Sequence, residues 1–294
     1  MNHKIFNKKI LIKSQGCSYG NISPQLIPPS VNIFVKITND CNARCLFCSN
    51  EKYINKNLFF NHNKFWQIID ELKSKNIIVN RVNITGGEPS IVTELVEQIL
   101  DKACESDYSY LHLHLNTNGL LTSSQKLMRH PRWNSVSVSL HHYDLEKLSH
   151  IYGTKIDKEA LLFRNINLDK VNASCNLIKG YIDRASEVEK MLKFVVSLGV
   201  PRLGFVALMK INDYCKNHFV DFDEIDFENI PHLYFTESRN RGKDCKCSNY
   251  LFNHNGRILE VYMRNYANPH YCESSLLFDG LYLRQGFHDD NIIF

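Results

Sequence analysis

Hydrophobic and polar positions along this chain follow two periods, and the two take turns. Residues 31–38, VNIFVKIT, read as a buried strand. In HNKFWQIIDELKSK (62–75), Phe65, Ile68, Ile69 and Leu72 fall at helical spacing. VNRVNITGGEPS (79–90) reads as a strand ending in a glycine turn, and IVTELVEQILDKACE (91–105) as an amphipathic helix. YLHLHLNTNGLL (110–121) and WNSVSVSLHHYD (133–144) each alternate with period two. SCNLIKGYID (174–183) and RLGFVALMKIN (202–212) are two further strands, with the helix SEVEKMLKFVVSLG (186–199) between them.

Strand then helix, through six strands between about 31 and 211, predicts an α/β fold with a parallel sheet, because parallel neighbours need long crossovers. Six units fall short of the eight of a closed barrel, so the expectation is an open, partial TIM-type (β/α)6 barrel. Ligands in such folds collect at the C-terminal ends of the strands. Those ends carry Cys41, Cys45 and Cys48, then Gly86-Gly87-Glu88, Asn116-Thr117-Asn118, and Ser139-Leu140-His141-His142. Past residue 212 the rhythm breaks, except for LFNHNGRILEVYMRN, which reads as a hairpin turning at Asn255-Gly256. The expected organisation is an N-terminal extension (1–30), the barrel (31–212) and a C-terminal extension (213–294).

Composition narrows the function. The apolar and charged fractions, 44% and 22%, are those of a globular protein. A net charge of +4, with basic residues scattered, argues against nucleic acid as a partner. No apolar run approaches the ~20 residues of a membrane span. The basic start, MNHKIFNKKILIKSQGCSYG, has no secretory apolar stretch, which points to a cytoplasmic protein. In that compartment clustered cysteines mean metal or catalysis rather than disulfides. Six of the ten cysteines form two groups, 41/45/48 and 245/247/272. Three thiolates suit an iron–sulfur cluster with one iron left open, or zinc with a fourth ligand supplied from elsewhere. Residue chemistry alone leaves both open.

The spacing Cys41-x3-Cys45-x2-Cys48 after a first barrel strand resembles the signature of the radical S-adenosylmethionine (radical SAM) superfamily. Phe47 matches the aromatic that commonly precedes the last cysteine there, and TGGEP (85–89), NTNG (116–119) and SVSLHH (137–142) resemble the family's later strand ends. The resemblance covers residues 31–211 and implies that Cys41, Cys45 and Cys48 hold a [4Fe–4S] cluster whose fourth iron binds SAM. Reductive cleavage of SAM would then give a 5′-deoxyadenosyl radical that takes hydrogen from substrate, the protein binding, orienting and excluding water. It further implies Phe47 against adenine, Gly86 and Gly87 near the amino group with Glu88 supplying charge, and Asn118 and Ser139 toward carboxylate or ribose. An electron donor such as flavodoxin or ferredoxin is implied as a partner.

Cys245-x-Cys247 with Cys272 is similar to the short SPASM/twitch-like extension that binds an auxiliary cluster, although no cysteine follows Gly256 closely, as the usual hairpin has it. Cys215, just past the last barrel strand, is a candidate hydrogen-atom donor or fourth ligand; ordinary burial is the competing expectation. With only about thirty residues before the first strand, no peptide-recognition domain is expected there. The leading expectation is therefore a small polar metabolite (sugar, aminoglycoside or nucleoside), followed by a maturase acting on a ribosomally made peptide. A zinc-binding interaction protein is the alternative of another class.

Overall fold

The structure, a computed structural model, describes residues 2–12, 29–50, 56–161, 163, 166–238, 246–265, 275–286 and 291–294. A hairpin of β1 (Asn2–Ile5) and β2 (Lys8–Leu11) precedes β3 (Ser30–Lys36), α1 (His62–Ser74), β4 (Ile78–Thr85), α2 (Thr93–Lys102) and β5 (Leu113–Thr117). Then come α3 (Thr122–Met128), β6 (Ser135–Ser139), α4 (Leu145–Tyr152), β7 (Val171–Leu177), α5 (Ala185–Ser197), β8 (Arg202–Ala207) and the short α6 (Asp213–Asn217). The chain continues through β9 (Leu233–Ser238), β10 (Ser248–His254), β11 (Arg257–Asn265), β12 (Ser275–Phe278) and β13 (Leu283–Gln285).

The six expected strands, β3 to β8, lie side by side in chain order and in parallel. This is the partial TIM-type barrel. Periodicity had named no helix in the two connections either side of β6; α3 and α4 fill them, with 7 and 8 residues. Elements that short show too little of a helical period to be read reliably. Asn255 and Gly256 form the β10–β11 turn, both with positive φ (52° and 75°), as a two-residue hairpin demands.

Residues beyond 212 join the same sheet. β11 pairs in parallel with β8 and carries β10 and β9 outward, while β12 pairs in parallel with β3 and carries β13. The result is an eleven-stranded sheet with the barrel strands in its middle.

The two faces of this sheet differ. Val31, Ile33, Val35, Val82, Ile84, Leu113, Leu115, Val136, Val138, Leu203 and Phe205 are buried on one face, in one core with Phe65, Ile68, Ile69 and Leu72 of α1 and Met191, Leu192 and Val195 of α5. Alternation sends the intervening residues to the other face, and register stacks them in rows. One row runs Asn116–Ser137–Asn172–Arg202–Glu260, and the next Ser139–Ser174–Gly204–Tyr262. A closed barrel fills its interior with branched apolar side chains. Here the inner face is polar and half-open.

Candidate active site

The cysteine loop leaves the C-terminal end of β3 and is held from three sides. From β4, the Gly87 N–H donates to Thr38 O and the Glu88 N–H to Asp40 O, each at 2.7 Å. This is what the glycines permit. A Cβ on Gly87 would lie 2.0 Å from Asp40 O, and one on Gly86, whose φ is +151°, 2.5 Å from Thr38 O. The close approach is to the cysteine loop's own backbone.

From β5, Asn118 Nδ2 donates to Asn42 Oδ1 at 2.8 Å, while its Oδ1 accepts from the Leu120 N–H. From α4, the orphan carbonyls of the last turn accept from the loop: Tyr152 O from the Arg44 N–H (2.7 Å) and Ile151 O from the Leu46 N–H (3.3 Å). Gly153 ends that helix at φ 60°, and a side chain there would press on Arg44 O at 2.9 Å. The Tyr152 hydroxyl ties the helix to the end of β6 through Ser139 O at 2.6 Å.

Glu88 departs from expectation. Rather than offering charge to a ligand, its carboxylate is 1% exposed and accepts four hydrogen bonds from within the protein. Oε1 takes Ser90 N (3.1 Å), Ser90 Oγ (2.7 Å) and Thr117 Oγ1 (2.6 Å), and Oε2 takes Asn118 N (2.7 Å). Burial raises its pKa and these donors oppose the rise. Glu88 is a buried strut between the second and third strand ends.

The three thiols are half-buried in this cradle. Backbone N–H groups point at two of the sulfurs, Ala43 to Cys41 Sγ (3.4 Å) and Asn50 to Cys48 Sγ (3.3 Å). Burial raises the pKa of Cys41 and Cys45, and neighbouring thiols add to the rise at both. A cationic centre would reverse that penalty, and N–H···S bonds are the usual support of cluster thiolates. Among the described residues no three His, Cys, Asp or Glu side chains close around a single-ion position. Donor chemistry and loop support fit an iron–sulfur cluster at the trio.

Beside the loop, Phe47 meets His141 edge-on at 4.7 Å and packs against a small apolar cluster of Ile151, Ile178, Leu208 and Cys215. Cys215 is 1% exposed, its thiol 3.7 Å from Phe47 O. His141 and His142 are buried neutral, pushed down to about 3 and about 4 by burial. Lys36, at the end of β3, is pulled down to about 8 by burial against the opposing pull of Asp279 and Cys48. Cys247 is buried, its sulfur accepting from the Asn265 N–H at 3.3 Å; Cys245 and Cys272 lie outside the described residues.

Sequence reasoning missed Asn42, Tyr152, Gly153 and the Ser90–Ser124 hydroxyl pair (2.6 Å) that extends the Glu88 network. Gly153 had a signal, a glycine directly after an amphipathic stretch. Asn42 had none, because its partner lies 76 residues away.

A partial barrel with a thiol trio at its first strand end defines a class of enzyme that keeps cluster chemistry at the barrel mouth. Residues 35–195 match the model of the radical SAM superfamily, and the chain belongs to that superfamily. Its enzymes use a [4Fe–4S] cluster and SAM. The chain is 24% identical over 273 residues to a "Probable GTP 3′,8-cyclase" of Saccharolobus islandicus, covering 90% of this chain and 85% of that one. It is 25% identical over 213 residues to the GTP 3′,8-cyclase of Aquifex aeolicus, covering 65% of this chain and 61% of that one. Among solved structures it resembles SAM-bound SuiB of Streptococcus suis (TM-score 0.51, 16% identity), over 67% of this chain but only 45% of SuiB. A radical SAM methyltransferase from Sphaerobacter thermophilus is similar over 69% of this chain and 62% of that one (TM-score 0.54, 15% identity). These structural likenesses concern the fold. No helix among the described residues is long and apolar enough to cross a membrane.

Proposed function

We propose that this radical SAM enzyme abstracts hydrogen from a small polar metabolite: a sugar, an aminoglycoside or a nucleoside. The observation that carries the substrate class is the inner face of the barrel sheet. From β5 to β7 it presents Asn116, Ser137, Ser139, Asn172 and Ser174 where a closed barrel would pack aliphatic layers. Such a lining rewards a ligand with many hydrogen-bonding groups and penalises an apolar one. GTP, in the relatives' names, is itself a small polar molecule. The peptide-modifying alternative draws on likeness of fold alone.

In this reading Cys41, Cys45 and Cys48 hold the cluster, and Phe47, the backbone at Gly86 and Gly87, Asn118 and Ser139 line SAM. Held there, the cluster and SAM would supply reductive radical chemistry ending in hydrogen-atom abstraction from the substrate. The protein's part is positioning. The three-sided clamp on residues 38–46 fixes the thiols against the strand ends, and Glu88 sets the spacing between two of those ends.

A protein electron donor such as flavodoxin or ferredoxin belongs to the proposal, as does an auxiliary cluster at Cys245, Cys247 and Cys272. For Cys215 the surroundings support packing. A Cys215→Ala enzyme that still forms 5′-deoxyadenosine but releases no product would assign hydrogen return to that thiol instead.

The test is anaerobic reconstitution with SAM and dithionite, with deuterium-labelled sugars and nucleosides as candidates. The proposal expects 5′-deoxyadenosine, carrying deuterium from one of them. Deuterium arriving only from peptide substrates would replace the metabolite reading. Iron at about eight atoms per chain would support the auxiliary cluster, and about four would remove it.

A further inference from the structure

Gly204 sits mid-way along β8, between Leu203 and Phe205, where a glycine weakens a strand and needs a reason. Three ordinary reasons fail. Its φ lies outside the positive region, so no special dihedral is required. Pairing with β7 on one side and β11 on the other is continuous in register, so there is no bulge. Among the described residues no backbone crowds it either: a Cβ built there would find nothing nearer than Ala173 O at 3.9 Å. The same space shows that the ring of its cross-strand neighbour Tyr262 does not lie over it. Among the described residues no approaching backbone is found, and close approach by a ligand is the reason the strand leaves room for.

The row through Gly204 supports this. Ser139 and Ser174 precede it and Tyr262 follows, all on the inner face. Ser174 and the next inward residue of β7, Asn176, are half-buried, and neither side chain hydrogen-bonds within the described residues. The polar groups nearby are hydrogen-bonded to one another, and the two arginines keep their charge because their partners are neutral amides. Arg202 Nε donates to Asn172 Oδ1 (2.6 Å), Arg264 Nη2 to Asn249 Oδ1 (2.9 Å), and the Tyr262 hydroxyl to Glu260.

We infer that Gly204 is the floor of a substrate slot, with Ser174 and Asn176 as its hydrogen-bonding wall and Tyr262 at its far side, selecting a hydroxyl-bearing ligand by size. The slot rests on the proposed function and deepens it. It borders Ser139, the last strand end assigned to SAM, so a ligand in it lies next to the cofactor across one cross-strand row.

Saturation-transfer NMR on the reconstituted full chain, with glucose, guanosine and GTP as probes, tests the slot. At least one probe binds the wild type, and Gly204→Val weakens that binding by at least about tenfold, as expected when added methyl groups fill a site. The melting temperature of Gly204→Val stays at or above the wild-type value, since valine suits a strand and its Cβ has room. Gly204→Ala weakens binding less, and it carries the test if the valine variant proves unstable. Binding within twofold of wild type in the stable variant overturns the slot. So does a wild type that binds no probe. A wild type that forms no 5′-deoxyadenosine strikes the parent reading; unchanged probe binding in an otherwise active background strikes only the slot.

Discussion

The two halves of the barrel sheet treat polar groups in opposite ways. At the ends of β4 and β5, the carboxylate, amide and glycine-turn groups are spent within the protein. Glu88 takes four donors, Asn118 is bonded through its N–H, amide nitrogen and amide oxygen, and the glycine turn is bonded to Thr38 and Asp40. On the inner face of β6 and β7, by contrast, the side chains of Ser137, Ser139, Ser174 and Asn176 are half-buried and make no hydrogen bond among the described residues. Under the proposed function, the first half is pre-organised to hold a fixed cofactor, and the second keeps its hydrogen-bonding capacity for a substrate that comes and goes.

Breaking the first half should cost most. Cys45→Ala is expected to abolish 5′-deoxyadenosine formation and lower bound iron while leaving far-UV circular dichroism unchanged; retained turnover would separate the thiols from the chemistry. Gly87→Ala forces a methyl group onto Asp40 O, an overpacking worth about 3 kcal/mol, and should also lower iron binding. Thermal melts and iron assay of the same preparation check both effects.

Acid should loosen the structure around both halves. His114 and His141 are buried neutral, each pulled down to about 3 by burial from an ordinary 6.5. A base with a lowered folded pKa contributes stability above its unfolded pKa and loses it as pH falls. Each therefore removes about 2 kcal/mol on going from pH 7 to pH 5, as the unfolded chain takes up the proton. Urea titrations at the two pH values measure this, and replacing either histidine by glutamine should flatten the slope.

Glu88→Gln keeps the shape but turns an NH2 toward groups that donate, costing about 1–3 kcal/mol. If Glu88 is a strut, the loss appears in stability and in the affinity for SAM together. A change confined to catalysis would mean that it meets a ligand. Smallest of all, Tyr152→Phe removes one hydrogen bond to Ser139 O, about 1 kcal/mol, visible as a melting shift of a few degrees.

How much of this was legible in the sequence depends on range. The six barrel strands and their order were, because period-two and period-3.6 patterns are local. The cysteine trio and glycine turn were, because each is a short motif. The pairing of β12 with β3 was not, since those strands lie more than 240 positions apart and no local pattern reports such a contact. Glu88 was read as charge for a ligand because a carboxylate at a strand end looks available. Only its distant donors, Thr117 and Asn118, show it to be committed. Likewise a lone glycine in RLGFVA carries no visible meaning until both neighbouring strands are placed beside it.

The most direct measurement is made on anaerobically purified, reconstituted protein: iron, sulfide and zinc content, with 5′-deoxyadenosine quantified after dithionite and SAM, beside Cys45→Ala. The account predicts a brown protein with about four irons or more per chain that forms 5′-deoxyadenosine, and a variant that forms none. A colourless protein carrying zinc at the trio and leaving SAM intact would contradict it.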